Sequence, residues 1–382
     1  MTDLARPATA RPIPLAQPNI GSLESELVNR ALTSGTLAMG PFTEEFEEGI
    51  AALADRRHGI AVSNGTAGLH LAVRGLGIGP GDEVVTTPFS FVASANCLLF
   101  EGATPVFADI EEETLGLDPA LAEAAIGPAT RALLPVDVFG NPCRIDELGG
   151  LARTRGLGLI EDSCEALGSS LAGRPLGSFG DVSVFAFYPN KQITTGEGGM
   201  VVTDDDDLAG RLRSMRNQGR DEDGTWLRHV QLGFNYRLDE LSAALGVAQL
   251  RRRQELKAGR DRVFAAYAER LRANEWVTCP QAADGAEVDW FVYVVRLEAW
   301  VDRDRLIGQM AAEGIPARPY FSPIHLQPYY RERFGFKPGD FPVTERVASA
   351  TLALPFSSLM TDDDVSRVCE VLAAAVRQQG AG

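Results

Sequence analysis

From about residue 60 to residue 205 the chain alternates short β-rich apolar runs with stretches of helical pattern. Such alternation is satisfied by a parallel sheet covered with helices on both faces. The spacing predicts strands at Gly59–Val62, Glu83–Thr87, Thr104–Ala108, Arg131–Val136, Leu157–Glu161, Val182–Phe187 and Met200–Thr203. Most are too uniformly apolar to leave one face in water. Helices are expected between them, among them Thr66–Gly75 and Asp118–Ile126, the second opening Asp-Pro in the favoured cap order. A long helix is expected over Leu238–Ala273, its Arg251–Arg253 run read as a solvated face. Beyond it come an extended segment at Trp290–Leu297, a helix near Asp302–Glu313, and a last helix capped by Thr361. In that last helix Val365, Val368, Cys369, Leu372 and Val376 recur at helical spacing. The fold class is therefore α/β, with a smaller α+β unit of roughly 130 residues behind it.

Composition narrows the function. With 52 acidic against 36 basic side chains the formal charge is -16, which argues against a nucleic-acid surface. No apolar run reaches the roughly 18 residues of a membrane span. Five scattered cysteines, none in a C-x-x-C pair, signal neither a disulfide framework nor a zinc site, and a cytoplasmic location is expected. The proline-bearing N-terminus reads as an extended arm (1–20) lying on the body or on a partner subunit.

Three motifs carry candidate chemistry. Ser63-Asn64-Gly65-Thr66-Ala67-Gly68 follows a strand and opens a helix, where free backbone N–H groups and the helix dipole can bind a phosphate. Taken alone, it serves equally as a plain helix cap. The glycine-rich run Gly75–Gly81 follows a helix and reads instead as its stop and turn. Ile160-Glu161-Asp162-Ser163-Cys164-Glu165 places acids at the carboxyl end of an apolar strand, where α/β sheets gather ligands; an acidic helix cap fits as well. In Phe185–Met200 a single lysine, Lys191, follows an aromatic strand and precedes a glycine-dense turn. Burial frees the nucleophilic form of an amine, which makes Lys191 a candidate Schiff-base former. Asp204–Asp207 reads as the acidic first turn of a helix, with no metal.

Asn190-Lys-Gln-Ile-Thr-Thr-Gly-Glu-Gly-Gly-Met200, Glu161-Asp-Ser-Cys-Glu-Ala-Leu-Gly-Ser169, Ser63-Asn-Gly-Thr-Ala67 and Gly233-Phe-Asn-Tyr-Arg-Leu238 together resemble the DegT/StrS family of sugar aminotransferases. The resemblance runs over nearly the whole chain. It implies an aspartate-aminotransferase-like fold type I, a mostly parallel central sheet sandwiched by helices. It also implies a large pyridoxal-phosphate-binding domain (21–250) and a small C-terminal domain (251–382). Lys191 would bond the cofactor, and Asp162 would hold the proton on its pyridine nitrogen. Gly65, Thr66 and Ala67 would meet its phosphate, and Phe91 would stack on its ring. Glu165, where many members carry Gln or His, would lie near the ring hydroxyl. Asn235 would reach the phosphate from a neighbouring subunit, so the active sites would be shared in a homodimer. Ala186 stands where a serine commonly contacts the phosphate.

The resemblance further implies ping-pong transfer of an amino group from L-glutamate, through pyridoxamine phosphate, to the ketone of a nucleotide-linked keto-sugar. A diphosphate-bearing acceptor calls for local cations despite the net charge. Arg220, Arg228, Arg237 and Arg318 are candidates, with His325 near the sugar. Acceptor specificity is expected in the loops Gly219–Gln231 and Ser322–Tyr330. Other readings are a cyclitol or other free ketone as acceptor, a pyridoxamine-phosphate-dependent sugar dehydratase, and a regulatory protein that binds the cofactor without turnover. Lys191 disfavours the dehydratase, whose relatives carry histidine there.

Overall fold

The computed structural model of the protein describes residues 12–221 and 227–380. The first eleven residues of the expected arm, and 222–226 of the expected specificity loop, lie outside the described residues.

A seven-stranded sheet forms from β1 (His58–Val62), β2 (Glu83–Thr86), β3 (Thr104–Phe107), β4 (Thr130–Leu134), β5 (Gly158–Asp162), β6 (Val182–Ala186) and β7 (Gly199–Thr203). Its spatial order is β1-β7-β6-β5-β4-β2-β3. All pairings are parallel except those of β7, which runs antiparallel to both β1 and β6. The short Lys191 loop explains the exception: twelve residues separate the ends of β6 and β7, with no crossover helix among them, and a parallel return needs one. Successive strand residues enter different apolar clusters. Val84, Leu134, Ile160, Val184 and Val201 join one cluster, while Val85, Leu133, Leu159, Phe185 and Val202 join others. Both faces of the sheet are thus dry, as the uniformly apolar runs require.

A second, three-stranded antiparallel sheet follows from β8 (Val277–Thr278), β9 (Tyr293–Leu297) and β10 (Thr351–Leu354), in the order β8-β9-β10. The helices Arg253–Leu271, Arg303–Ala312 and Asp362–Gly380 accompany it. The last buries Val365, Val368, Cys369, Leu372 and Val376 as their spacing predicts, and Thr361 Oγ1 accepts the Asp364 amide. One apolar cluster runs continuously from β1 to this final helix.

The expected single helix over Leu238–Ala273 is two helices, Glu240–Arg251 and Arg253–Leu271. The chain leaves helical geometry at Arg252 (φ -95°, ψ 4°). The arginine run is also not a uniformly solvated face. Arg252 reaches the buried Glu24 at 2.6 Å, and its side chain and that of Arg253 are each only 16% exposed. A buried carboxylate needs a cation beside it, and turning the helix at Arg252 supplies one. The described part of the N-terminal arm lies against the body: Ile13 is buried, Leu15 O accepts the Phe356 amide at 2.9 Å, and Asn19 O accepts from Gln249.

Candidate active site

Because six strands run in one direction, Val62, Thr86, Leu134, Asp162 and Ala186 end at the same edge of the sheet, joined there by Gly199, which begins β7. The candidate residues of the three motifs follow from these ends. The helix Gly65–Gly75 starts directly after β1, with Asn64 as its cap: Asn64 Oδ1 accepts the Ala67 amide at 2.8 Å. The amides of Gly65 and Thr66, in the first turn, have no acceptor within the helix and are available to an anion. Close packing fixes this corner. A Cβ on Gly65 would fall 2.7 Å from the Ala186 Cβ and 3.1 Å from Cys164 Sγ, and one on Gly199 would fall 2.6 Å from the Asn64 carbonyl. The backbone can pass so close only because both residues are glycine.

Asp162 is buried at the end of β5. Ser94 Oγ donates to its Oδ2 at 2.6 Å, and the Cys164 amide donates to its Oδ1 at 3.2 Å. Burial pushes its pKa up; the two hydrogen bonds oppose this, and the charge of Glu165 adds to it. Among the described residues no cation pairs with Asp162. Ser94 is in turn hydrogen-bonded to Ser90, which fixes the loop carrying Phe91. The Phe91 ring is 60% exposed.

Lys191 is mostly buried, and among the described residues its amine has two contacts. Nζ donates to Glu165 Oε1 at 3.0 Å and lies 4.4 Å from the centre of the Phe291 ring. The other oxygen of Glu165 accepts the amide of Phe139 at 2.8 Å. Tyr320 stands nearby, its hydroxyl pKa raised by burial and by the charge of Glu165. A cleft beside Lys191 is lined by Gln17, Asn19, Asn190, Arg260 and Ser357 among others.

A buried acid awaiting a cation, free amides at a helix start, an exposed aromatic ring and a sheltered lysine amine fit pyridoxal phosphate. The pattern of the DegT/DnrJ/EryC1/StrS aminotransferase family matches residues 18–373. The chain belongs to that family. It is a pyridoxal-phosphate-dependent aminotransferase. Over 377 residues the aminotransferase is 40% identical to the GDP-perosamine synthase of Caulobacter vibrioides, covering 97% of this chain and 99% of that one. The solved structure of DesI in the presence of its TDP-sugar product superposes with a TM-score of 0.90 at 36% identity, over 98% of this chain and 96% of that chain. The protein Spr1654 of Streptococcus pneumoniae, solved in a PLP form, gives a TM-score of 0.91 at 26% identity, over 97% of this chain and 100% of that chain.

The aminotransferase thus gathers Gly65, Thr66, Ala67, Asp162, Glu165 and Lys191 at one sheet edge, with Phe91 on the loop tied to Asp162. Asn235 is exposed, on a segment whose neighbours Tyr236 and Arg237 pair with Ser63 and Val62 beside the helix start. Arg237 donates to Asn217 Oδ1 at 2.8 Å, and Arg228 pairs with Asp221 at 3.1 Å. Arg220 is also engaged. Arg318 is exposed and donates to the Ala317 carbonyl at 3.0 Å. His325 is fully buried and faces Glu345 at 3.0 Å and the Phe341 ring, and burial lowers its pKa. Sequence reasoning did not single out Ser94, Phe139, Phe291 or Tyr320. Only Phe291 leaves a trace in the sequence, in the apolar run Trp290–Val295 broken from its surroundings by Asp289.

Proposed function

We propose that the enzyme moves an amino group from L-glutamate to the ketone of a nucleotide-linked keto-sugar. The observation that supports this is the likeness, over almost the full chain, to a GDP-perosamine synthase and to a protein solved with a TDP-sugar product. In this reading the amides of Gly65 and Thr66 hold the cofactor phosphate, the Thr66 hydroxyl and the helix start at Ala67 complete the cup, and Phe91 covers the ring. Asp162 holds a proton on the ring nitrogen; that ion pair relieves the burial which raises its pKa. When bound, pyridoxal phosphate supplies an electron sink for the pair left at the donor carbon. Lys191 would take the proton from that carbon and return it to the cofactor carbon on the far side of the bridging nitrogen, C4′. Glu165 accepts a hydrogen bond from the Lys191 amine and holds it at the stripping position.

We also propose a homodimer with shared sites. Asn235 is exposed, and Leu227, Val230 and Leu232 on the same segment are exposed apolar side chains, Leu232 at 68%. An uncovered apolar strip next to the site suits burial by a second copy. The division into units 21–250 and 251–382 belongs to the same proposal, supported by the helix break at Arg252 and by the separate second sheet. Arg237 remains the best-placed cation for a diphosphate, since its known partner is the neutral Asn217.

The test is direct. Glutamate added to the pyridoxal-phosphate-loaded enzyme should change the cofactor absorption and yield 2-oxoglutarate. Mass spectrometry on a panel of keto-sugar nucleotides should then find an aminated product. An unchanged spectrum, or the same change in Lys191→Ala, defeats the donor half. Amination of a free cyclitol alone defeats the nucleotide-linked acceptor.

A further inference from the structure

Both contacts of the Lys191 amine are held by residues outside the cofactor site. Gln192, next in the chain, is buried, and its Nε2 donates to the carbonyls of Glu165 and Asp289. The Gln192 carbonyl accepts from Arg260 Nη1 at 2.8 Å, and Arg260 Nη2 donates to Asp289 Oδ1 at 2.7 Å. Asp289 is fully buried, and its amide donates to Ser169 Oγ at 3.0 Å. It stands two residues before Phe291, the ring beneath the amine. Thus one ring of polar contacts grips Glu165 on one side of the lysine and the Phe291 segment on the other. It joins the turn after β5, the loop after β6, the helix Arg253–Leu271 and the segment leading into β9.

The packing is close. A Cβ on Gly140 (φ +87°) would lie 2.9 Å from the Glu165 carbonyl and 3.5 Å from that of Asp289. A Cβ on Gly168 (φ +84°) would lie 2.6 Å from Arg253 Nη1 and 3.1 Å from Asp289 Oδ2. Burying an arginine–carboxylate pair yields little net stability over an apolar pair of the same size. Its directional hydrogen bonds give geometry instead.

We infer that Gln192, Arg260 and Asp289 are positioning residues for the Lys191 amine, acting through Glu165 and Phe291. The inference rests on Lys191 being the reacting amine, and the test reads the position of that amine without turnover. The chain has only three lysines, Lys191, Lys257 and Lys337, so competitive labelling of cofactor-free protein with limiting acetic anhydride, read by peptide mass spectrometry, resolves each. Lys337 is exposed and serves as the internal standard. Lys257, one turn before Arg260 and paired with Asp261, reports local unfolding of that helix.

In Gln192→Met the Lys191/Lys337 labelling ratio should rise about tenfold, the change expected when one charge-assisted hydrogen bond is lost, with Lys257/Lys337 unchanged. Glu165→Gln should raise it similarly. Removal of Asp289 alone leaves the buried Arg260 charge unpaired and risks misfolding, while removal of Arg260 alone leaves Asp289 with Arg253 at 3.7 Å, so the pair is tested as the double variant Arg260→Met/Asp289→Leu, which should reproduce the Gln192→Met result. The inference is overturned if Gln192→Met and the double variant keep the parental ratio, whatever Glu165→Gln does. It is equally overturned if Lys257 labelling rises in step with Lys191 in Gln192→Met, where the Asp289 charge that acts on Lys257 is kept, since that is general loosening. Failure of the glutamate reaction with a raised ratio would instead count against the proposed function alone.

Discussion

Glu161 and Asp162 are consecutive acids at the end of one strand, both buried, and the protein treats them in opposite ways. Glu161 is saturated: the amides of Gly177, Phe179 and Gly180 and the hydroxyl of Ser183 all donate to it. Asp162 receives one hydroxyl and one amide, both from neutral groups. Strand geometry makes the split possible, since neighbours along a strand point to opposite faces. A carboxylate with every lone pair used is a structural tie between loops. One left short of donors, in a place where burial penalises its charge, is consistent with the proposed pairing to a cation that arrives with a ligand.

The strongest way to break this contrast is Asp162→Asn. It keeps the shape and both donors' neighbourhood but removes the charge that would hold a proton on the ring nitrogen. Transamination with glutamate should fall about 10³-fold, the upper range for removing one electrostatic stabiliser, while thermal unfolding of the cofactor-free protein stays close to parental or improves. A variant that turns over normally would show that Asp162 has no such role. Glu161→Gln should behave in reverse. Its amide group must face N–H donors at whichever end it lies, so urea unfolding should show a loss of about 3 kcal/mol, the cost of unmaking buried hydrogen bonds to a charged group. The folded enzyme should retain most of its turnover.

A third acid completes the structural side. Asp137 is fully buried; Ser163 donates to its Oδ2 at 2.8 Å and Cys143 lies against Oδ1. Burial, and next the charge of Glu161, raise its pKa well above the ordinary carboxylate value. A carboxyl with a raised folded pKa contributes stability at low pH, where both states are protonated, and this is lost as pH rises from the unfolded value of about 3.9 toward the folded one. Asp137→Asn stays neutral throughout. Its melting temperature should fall less than the parent's between acid and neutral pH, as scanning calorimetry would show; parallel curves would mean that Asp137 is ionised in the fold.

Much of this is legible in the sequence. Uniformly apolar strands gave the two-sided sheet, and Asp118, Thr361 and Asn64 cap their helices as their residue types prescribe. The sheet edge that collects Asp162, Lys191 and the Gly65–Ala67 turn follows from strand direction and motif position alone. What stayed hidden depends on distant partners. Nothing local marks Arg252 as the answer to Glu24, more than two hundred residues away, so the helix break has no signal in the sequence. Likewise Arg260 looks like any helix arginine until Asp289 and Gln192 are brought to it. Glu161 and Asp162 are indistinguishable by type and neighbourhood in sequence; only the loops that fold back over one face separate them.

The smallest test adds a donor on the ligand side. Ala186 ends β6 with its Cβ directed at Gly65, beside the first helical turn whose amides are free. A serine there would place a hydroxyl at the cup, where this chain has only a methyl group. In Ala186→Ser the hydroxyl gains a phosphate oxygen when the cofactor is present and is half-exposed to water when it is not, so it costs little in the free protein. Pyridoxal phosphate should therefore bind several-fold more tightly, about 1 kcal/mol for one hydrogen bond to a charged acceptor after solvent exchange. Fluorescence titration of the cofactor-free protein measures this. An unchanged or weaker affinity would place the phosphate away from Ala186 and would shift the cup toward the exposed Asn235 side.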